Sequence, residues 1–131
     1  MIVDSSAVMA VLLDEPESER IQDVVASTES VQMSEGTFIE LGIVIDRRDN
    51  PVLSRRLDQL LDAWGVEFVA VDRGQALRAR QAHRDFGRGS GHRAQLNFGD
   101  CFAYALASTT GQPLLFKGDD FTHTDLRPAL G

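Results

Sequence analysis

The sequence predicts an α/β fold of three layers, with helices on both faces of a central, mainly parallel sheet. Two observations carry that expectation. Short apolar stretches of strand length recur at residues 2–4, 31–34, 66–71 and 114–117, and helix-patterned sequence separates each from the next. Connections of that kind suit crossover helices between parallel strands, not hairpins. In open sheets so built, ligands bind beyond the carboxyl ends of the strands. The residues just after each strand therefore matter most.

Met-Ile-Val reads as a buried strand over residues 2–4, ending on Asp4. Ser5 or Ser6 is placed to cap a short helix to about Leu13, and Asp14-Glu15-Pro16 breaks it. Pro16 suits the first turn of a second helix to about Ala26, with acids at its start. After the strand at 31–34, Ser34 caps a helix over 35–48. Asn50-Pro51 ends that helix and opens another through Trp64. The alternating, β-branched run 66–71 is a strand, and Asp72 caps the long helix after it. Residues 87–97 (GRGSGHRAQLN) form a basic, glycine-rich loop. Asn97 then caps a helix to about Ser108, Gly111 closes it, and 114–117 is the last core strand.

With 131 residues, 43% of them hydrophobic, the chain reads as one domain, 1–131, with a sizeable core. No apolar run approaches the ~20 residues of a membrane span, and no basic-then-apolar leader opens the chain. The lone Cys101 makes no intrachain disulfide and suggests no thiolate metal site, which fits a reducing cytoplasm. Net charge is −7, which taken alone argues against a nucleic-acid partner. The distribution says otherwise. Arg73, Arg78, Arg80, Arg84, Arg88 and Arg93 stand against the single acid Asp85, so that segment carries about +5 and the remainder about −12. This is either a solvated helix face plus a loop, or a basic lip beside an acidic pocket.

The acidic pocket has five candidates. Asp4 sits at the carboxyl end of the first strand, and Asp119 and Asp120 follow the strand Leu-Leu-Phe-Lys by one glycine. Asp100 lies in the first turn of a helix, where a plain helix-dipole contact also explains it. Glu40 is harder to explain structurally, because it interrupts the apolar run FIELGIVI on a helix. A carboxylate there needs a cation or a shared polar pocket. Clustered carboxylates repel one another unless a multivalent cation holds them, and oxygen-only donors suit Mg2+ or Mn2+.

MIVDSSAVMAVLLDEPE, SEGTFIELGIVID, NFGDCFAYALA and LLFKGDDF, in that order and spacing, resemble the PIN-domain ribonucleases, closest to the VapC toxins of bacterial toxin–antitoxin pairs. The likeness covers essentially the whole chain. It implies a PIN-like three-layer fold and an Mg2+- or Mn2+-dependent endoribonuclease, with tRNA or rRNA as substrate. It further implies a homodimer held inactive by a VapB antitoxin. Carried over by position, Asp4, Glu40 and Asp100 match the family's first three acids, and Ser6 its nearby hydroxyl. Asp120, before Phe121, matches the fourth acid, with Asp119 beside it; Gly118 stands where the common motif has Asn or Asp. Lys117, Arg93 and the other loop arginines would offset phosphate charge. His83 and His92 read as solvated, and Trp64, Phe68, Phe102 and Tyr104 as core or dimer contacts.

Two other classes stay open. A receiver domain also places acids at strand ends and a lysine after the last strand, but it wants an acidic pair after the first strand, and only Asp4 stands there. A PIN-like scaffold without catalysis would only bind its partner. Metal-dependent cleavage separates these readings.

Overall fold

The computed structural model describes residues 1–130. Four strands, β1 (Ile2–Val3), β2 (Gln32–Ser34), β3 (Glu67–Val69) and β4 (Leu114–Leu115), form one sheet in the order β3-β2-β1-β4. Every pairing is parallel: Ile2 lies opposite both Gln32 and Leu114, and Met33 opposite Phe68. The helices are α1 (Ser5–Leu12), α2 (Ser18–Ala26), α3 (Glu35–Asp46), α4 (Pro51–Ala63), α5 (Arg73–Phe86) and α6 (Phe98–Thr110).

Strand alternation divides the core in two. Val3 and Leu115 point into a cluster with Val8, Ile21, Leu41, Ile45, Leu57 and Leu61, which α1 to α4 cover. Ile2 and Leu114 point the other way, into a cluster with Ala82, Leu96, Tyr104 and Leu106 from α5, α6 and the segment between them. These are the three layers of an α/β/α arrangement. No described helix is long and apolar enough to cross a membrane.

The elements match the sequence expectations in kind and order, with shifts that have local causes. Asp4, not Ser5 or Ser6, caps α1: its backbone is extended and its side chain accepts from the Ser6 amide. Pro16 stands in a turn before α2, whose N-cap is Glu17. Helix α3 stops at Asp46, and Asp49 turns with a positive φ of 51° before Asn50 caps α4. Helix α6 runs on to Thr110, where Gly111 ends it with a left-handed φ of 70°. Strands β3 and β4 are shorter than their apolar runs. Among the aromatics, Tyr104 is buried and Trp64 packs on the first cluster, whereas Phe68 is exposed and meets Phe38 edge-on at 5.0 Å.

The α3–α6 crossing is close because each helix gives a glycine to the other. A Cβ on Gly36 would overlap the ring of Phe102, and one on Gly99 would overlap the carboxylate of Glu40. The two contacts lie one turn apart on each helix, so the glycines form a matched pair of notches. Through one of them Glu40 reaches past α6.

Candidate functional site

The parallel sheet brings the ends of β1 and β4 side by side, and the first turns of α1 and α6 start at that same edge. Asp4 follows β1, and its backbone amide donates to Leu115 on β4 at 2.9 Å. Asp4 Oδ2 accepts from the Ser6 amide at 3.0 Å and the Ser6 hydroxyl at 2.6 Å. Ser6 Oγ in turn accepts from the Lys117 amide at 3.0 Å. Ser6 thus ties the two strand ends together and fixes Asp4 through one oxygen, leaving the other available.

Asp100 is held by the same logic. In a reciprocal capping box, the Asp100 amide donates to Asn97 Oδ1 at 2.8 Å and the Asn97 amide donates to Asp100 Oδ2 at 2.9 Å. Again one carboxylate oxygen is committed to the backbone and one is not. Glu40 is half-buried, and the nearby Ser5 side chain favours its charged form. Asp120 is exposed on the turn after β4.

The charges of these groups reach one another. Burial pushes the Asp4 carboxyl above its ordinary range; its hydrogen bonds to Ser6 oppose this, and the Glu40 charge adds to it. Burial also raises Glu40, reinforced by Asp100. Asp100 is pushed up to about 6, first by burial and then by Asp4 and Asp120; the Asn97 amide and Arg88 pull the other way. Asp120 therefore belongs to the cluster electrostatically, whereas no such influence of Asp119 is found on the other three.

An unmatched cluster of this kind makes a pH-dependent prediction. The folded Asp100 carboxyl, near 6, lies above its ordinary value of 3.8. Between those values the folded state binds more protons than the unfolded chain, so stability falls as pH rises. Urea unfolding in chelator should show the wild type losing stability relative to Asp100→Asn from about pH 4 to about pH 6. A constant difference across that window would mean that Asp100 is not crowded by its neighbours.

The remaining sequence candidates sit as follows. Lys117 directs its ammonium to Glu15 at 2.9 Å, the only ion pair among the described residues. Arg93 is exposed on the loop, and Asp119 is exposed beside Asp120. His92 does not face outward freely: its Nδ1 accepts from the Ala94 amide and its ring meets Phe86 edge-on at 4.9 Å. Cys101 is buried and its thiol is pushed up to about 11, first by burial. Sequence reasoning missed Ser5, Asn97 as a partner of Asp100, and Arg88 as the arginine nearest in effect to the acids.

The donor chemistry fits a hard divalent ion. All the side chains are oxygen donors, two keep a free carboxylate oxygen, and Arg88 only partly offsets their mutual repulsion. Among the described residues, no three His, Cys, Asp or Glu side chains stand close enough to enclose an ion by themselves. The cluster suits an ion that keeps much of its water, as Mg2+ does.

Residues 1–126 match the PIN domain family. The chain is 50% identical to ribonuclease VapC42 of Mycobacterium tuberculosis over 98% of each chain. It is 48% identical to ribonuclease VapC28 of the same organism, over 99% of this chain and 98% of that one. Among solved structures it resembles Mycobacterium tuberculosis VapC20, a sarcin–ricin loop cleaving toxin, with a TM-score of 0.73 at 18% identity, covering 97% and 98% of the two chains. It also resembles VapBC2 from Rickettsia felis, solved on a promoter DNA fragment, with a TM-score of 0.72 at 10% identity, covering 98% and 93%.

Proposed function

The chain belongs to the PIN-domain family, among the VapC ribonucleases, and from that membership we propose that Asp4, Glu40, Asp100 and Asp120 hold Mg2+ or Mn2+ for RNA cleavage. It is the toxin component of a VapBC-type pair and a hydrolase of the nuclease class. The observation that supports the site assignment is geometric: Asp4 and Asp100 are anchored by Ser6 and Asn97 at one sheet edge, and the Glu40 carboxylate lies against Gly99, next to Asp100.

Bound there, a divalent ion supplies Lewis acidity to a phosphate oxygen and a more acidic water. The protein supplies the rest. Asp4 and Asp100 present one free oxygen each from carboxylates already fixed by Ser6 and Asn97, so little side-chain entropy is lost on binding. Glu40, packed against Gly99, or Asp120 would accept a hydrogen bond from an attacking water. Ser6 acts through Asp4. Lys117, paired with Glu15, contributes its charge to the rim and not to the centre.

The partners follow from charge and exposed apolar surface. A cluster of carboxylates is a receptor for an arginine, whose planar fork pairs with them bidentately. A cognate VapB-type antitoxin would block the site with such an arginine, competing with the ion for the same oxygens. High Mn2+ is then expected to weaken the antitoxin complex, and an antitoxin Arg→Ala change to restore cleavage. Equal affinity at all Mn2+ concentrations would place the blockade elsewhere. On α3, Ile39, Ile43 and Val44 are 59%, 49% and 45% exposed. Such a stripe is what a second copy would cover in a homodimer, acting in the cytoplasm.

The basic test is cleavage of tRNA and rRNA by the purified toxin in Mg2+ or Mn2+ and in chelator. Metal-dependent fragments support the reading; undiminished cleavage in chelator overturns it. In the same samples Mn2+ should raise the melting temperature, and Glu40→Gln should blunt that rise.

A further inference from the structure

Helix α5 and the segment after it carry a run of arginines. Arg80 and Arg84 are four residues apart on α5, the spacing that stacks side chains along one side of a helix, and Arg88 follows two residues past its end. Arg80 and Arg84 line a cleft of about 560 Å3 between α5 and the start of α6, whose floor is apolar: Ala79, Phe98, Cys101 and Phe102. Phe98 is 76% exposed although it opens a core helix, and it meets Phe102 edge-on at 5.0 Å.

Arg88 extends the row to the acids. Its amide donates to Leu96 at 3.0 Å, the Leu96 amide donates to Phe86 at 2.8 Å, and the Gly87 amide donates to His83 at 2.9 Å. This closure pins Arg88 next to Asn97, the residue that caps Asp100. Its guanidinium makes no hydrogen bond or ion pair with any described residue, and neither does that of Arg80. Asp85, the sole acid on α5, is occupied by Gln81 at 3.0 Å. In a chain of net charge −7, an uncompensated arginine row is not a general feature of the surface. It runs beside an apolar floor and stops at the carboxylates.

Resting on the nuclease reading, we infer that a single strand of RNA enters along this α5–α6 cleft. Its phosphates lie on Arg80, Arg84 and Arg88, and Arg88 holds the phosphate nearest Asp100. Phe98 offers an exposed ring against which a base can stack. The row attracts the backbone without reading sequence, and it gives the strand one direction of approach to the acids.

The test uses the full chain in chelator with a fluorescently labelled, mixed-sequence single-stranded RNA. Arg80→Ala, Arg84→Ala and Arg88→Ala should each weaken binding about 10-fold, on the scale of 1.4 kcal/mol per decade, and flatten the log–log salt slope by about 0.7 per contact. Arg88→Lys should keep the salt slope and lose part of the affinity. Arg55→Ala, on α4, should change nothing. With Mg2+ present, the three alanine variants should raise KM more than they lower kcat. Wild-type affinity and slope in all three overturn the track even if the wild type cleaves RNA. If instead the variants change the mass of the particle in solution and not RNA binding, the cleft is a contact between copies and the inference is wrong. A wild type that binds RNA through these arginines yet never cleaves it would remove the nuclease reading and leave the track.

Discussion

Asp100→Asn is expected to lower metal-dependent RNA cleavage on the order of 10³-fold, the scale of several kcal/mol of metal-ion catalysis, with little change in melting temperature. The reason lies in how Asp100 is held. Its structural task is to accept the Asn97 amide in the capping box, and an asparagine side-chain oxygen does that equally well. Its proposed functional task is to bring a negative oxygen to a cation, which a neutral amide cannot do. The substitution therefore separates the two tasks. Relief from Asp4 and Asp120, which push Asp100 upward, should leave the metal-free variant at least as stable near neutral pH. Cleavage at the wild-type rate would reduce Asp100 to a helix cap.

Gly99→Ala is expected to give a protein that is as stable as the wild type and nearly inactive, with cleavage down by about 10²-fold, the penalty of misplacing a reacting group by about 1 Å. Gly99 lies in the first turn of α6 without a positive φ, so alanine suits its backbone and glycine offers no conformational benefit there. What glycine provides is room. A methyl group would occupy the place of the Glu40 carboxylate, and the far end of a glutamate yields more easily than a helix backbone. Glu40 would turn outward, away from Asp100, and the crowding would ease. Paired cleavage and thermal-melt measurements decide the matter. A large fall in melting temperature would mean that the helices separate instead, and unchanged cleavage would mean that Glu40 is dispensable.

The layout was legible in the sequence because strand-length apolar runs and helix caps mark it locally. Asn97 three residues before Asp100, Ser34 before α3 and Asn50 before Pro51 act as the caps they resemble. Asp4 stands out for its place at the strand end, and its second role, capping α1 in place of the serines, is a local bond to Ser6 that three adjacent capping residues leave undecided in the sequence. The interrupted apolar pattern on α3 exposed Glu40. Its passage through Gly99 was readable in principle, since a glycine inside a helix suggests close approach, but the partner lies on another helix.

Other features could not be read locally. Arg93 and Arg88 look alike in a glycine-rich loop, and the Gly87–Leu96 pairing, a tertiary contact, is what brings Arg88 to Asp100. The sequence marks Lys117 as a substrate contact, and its partner Glu15, 102 residues away, is visible only in the fold. Between Asp119 and Asp120 the motif left a choice, and the electrostatic coupling to Asp100 favours Asp120.

The central claim is that four carboxylates from four separate parts of the chain make one cation site that cuts RNA. Its most direct measurement is a calorimetric Mn2+ titration of the wild type, Asp4→Asn, Glu40→Gln, Asp100→Asn, Asp119→Asn and Asp120→Asn, with RNA cleavage followed in the same samples. The account predicts that binding and cleavage fall together in the variants of Asp4, Glu40, Asp100 and Asp120, and that Asp119→Asn keeps both. Wild-type Mn2+ affinity in the Asp4 and Asp100 variants, with cleavage intact, would contradict it.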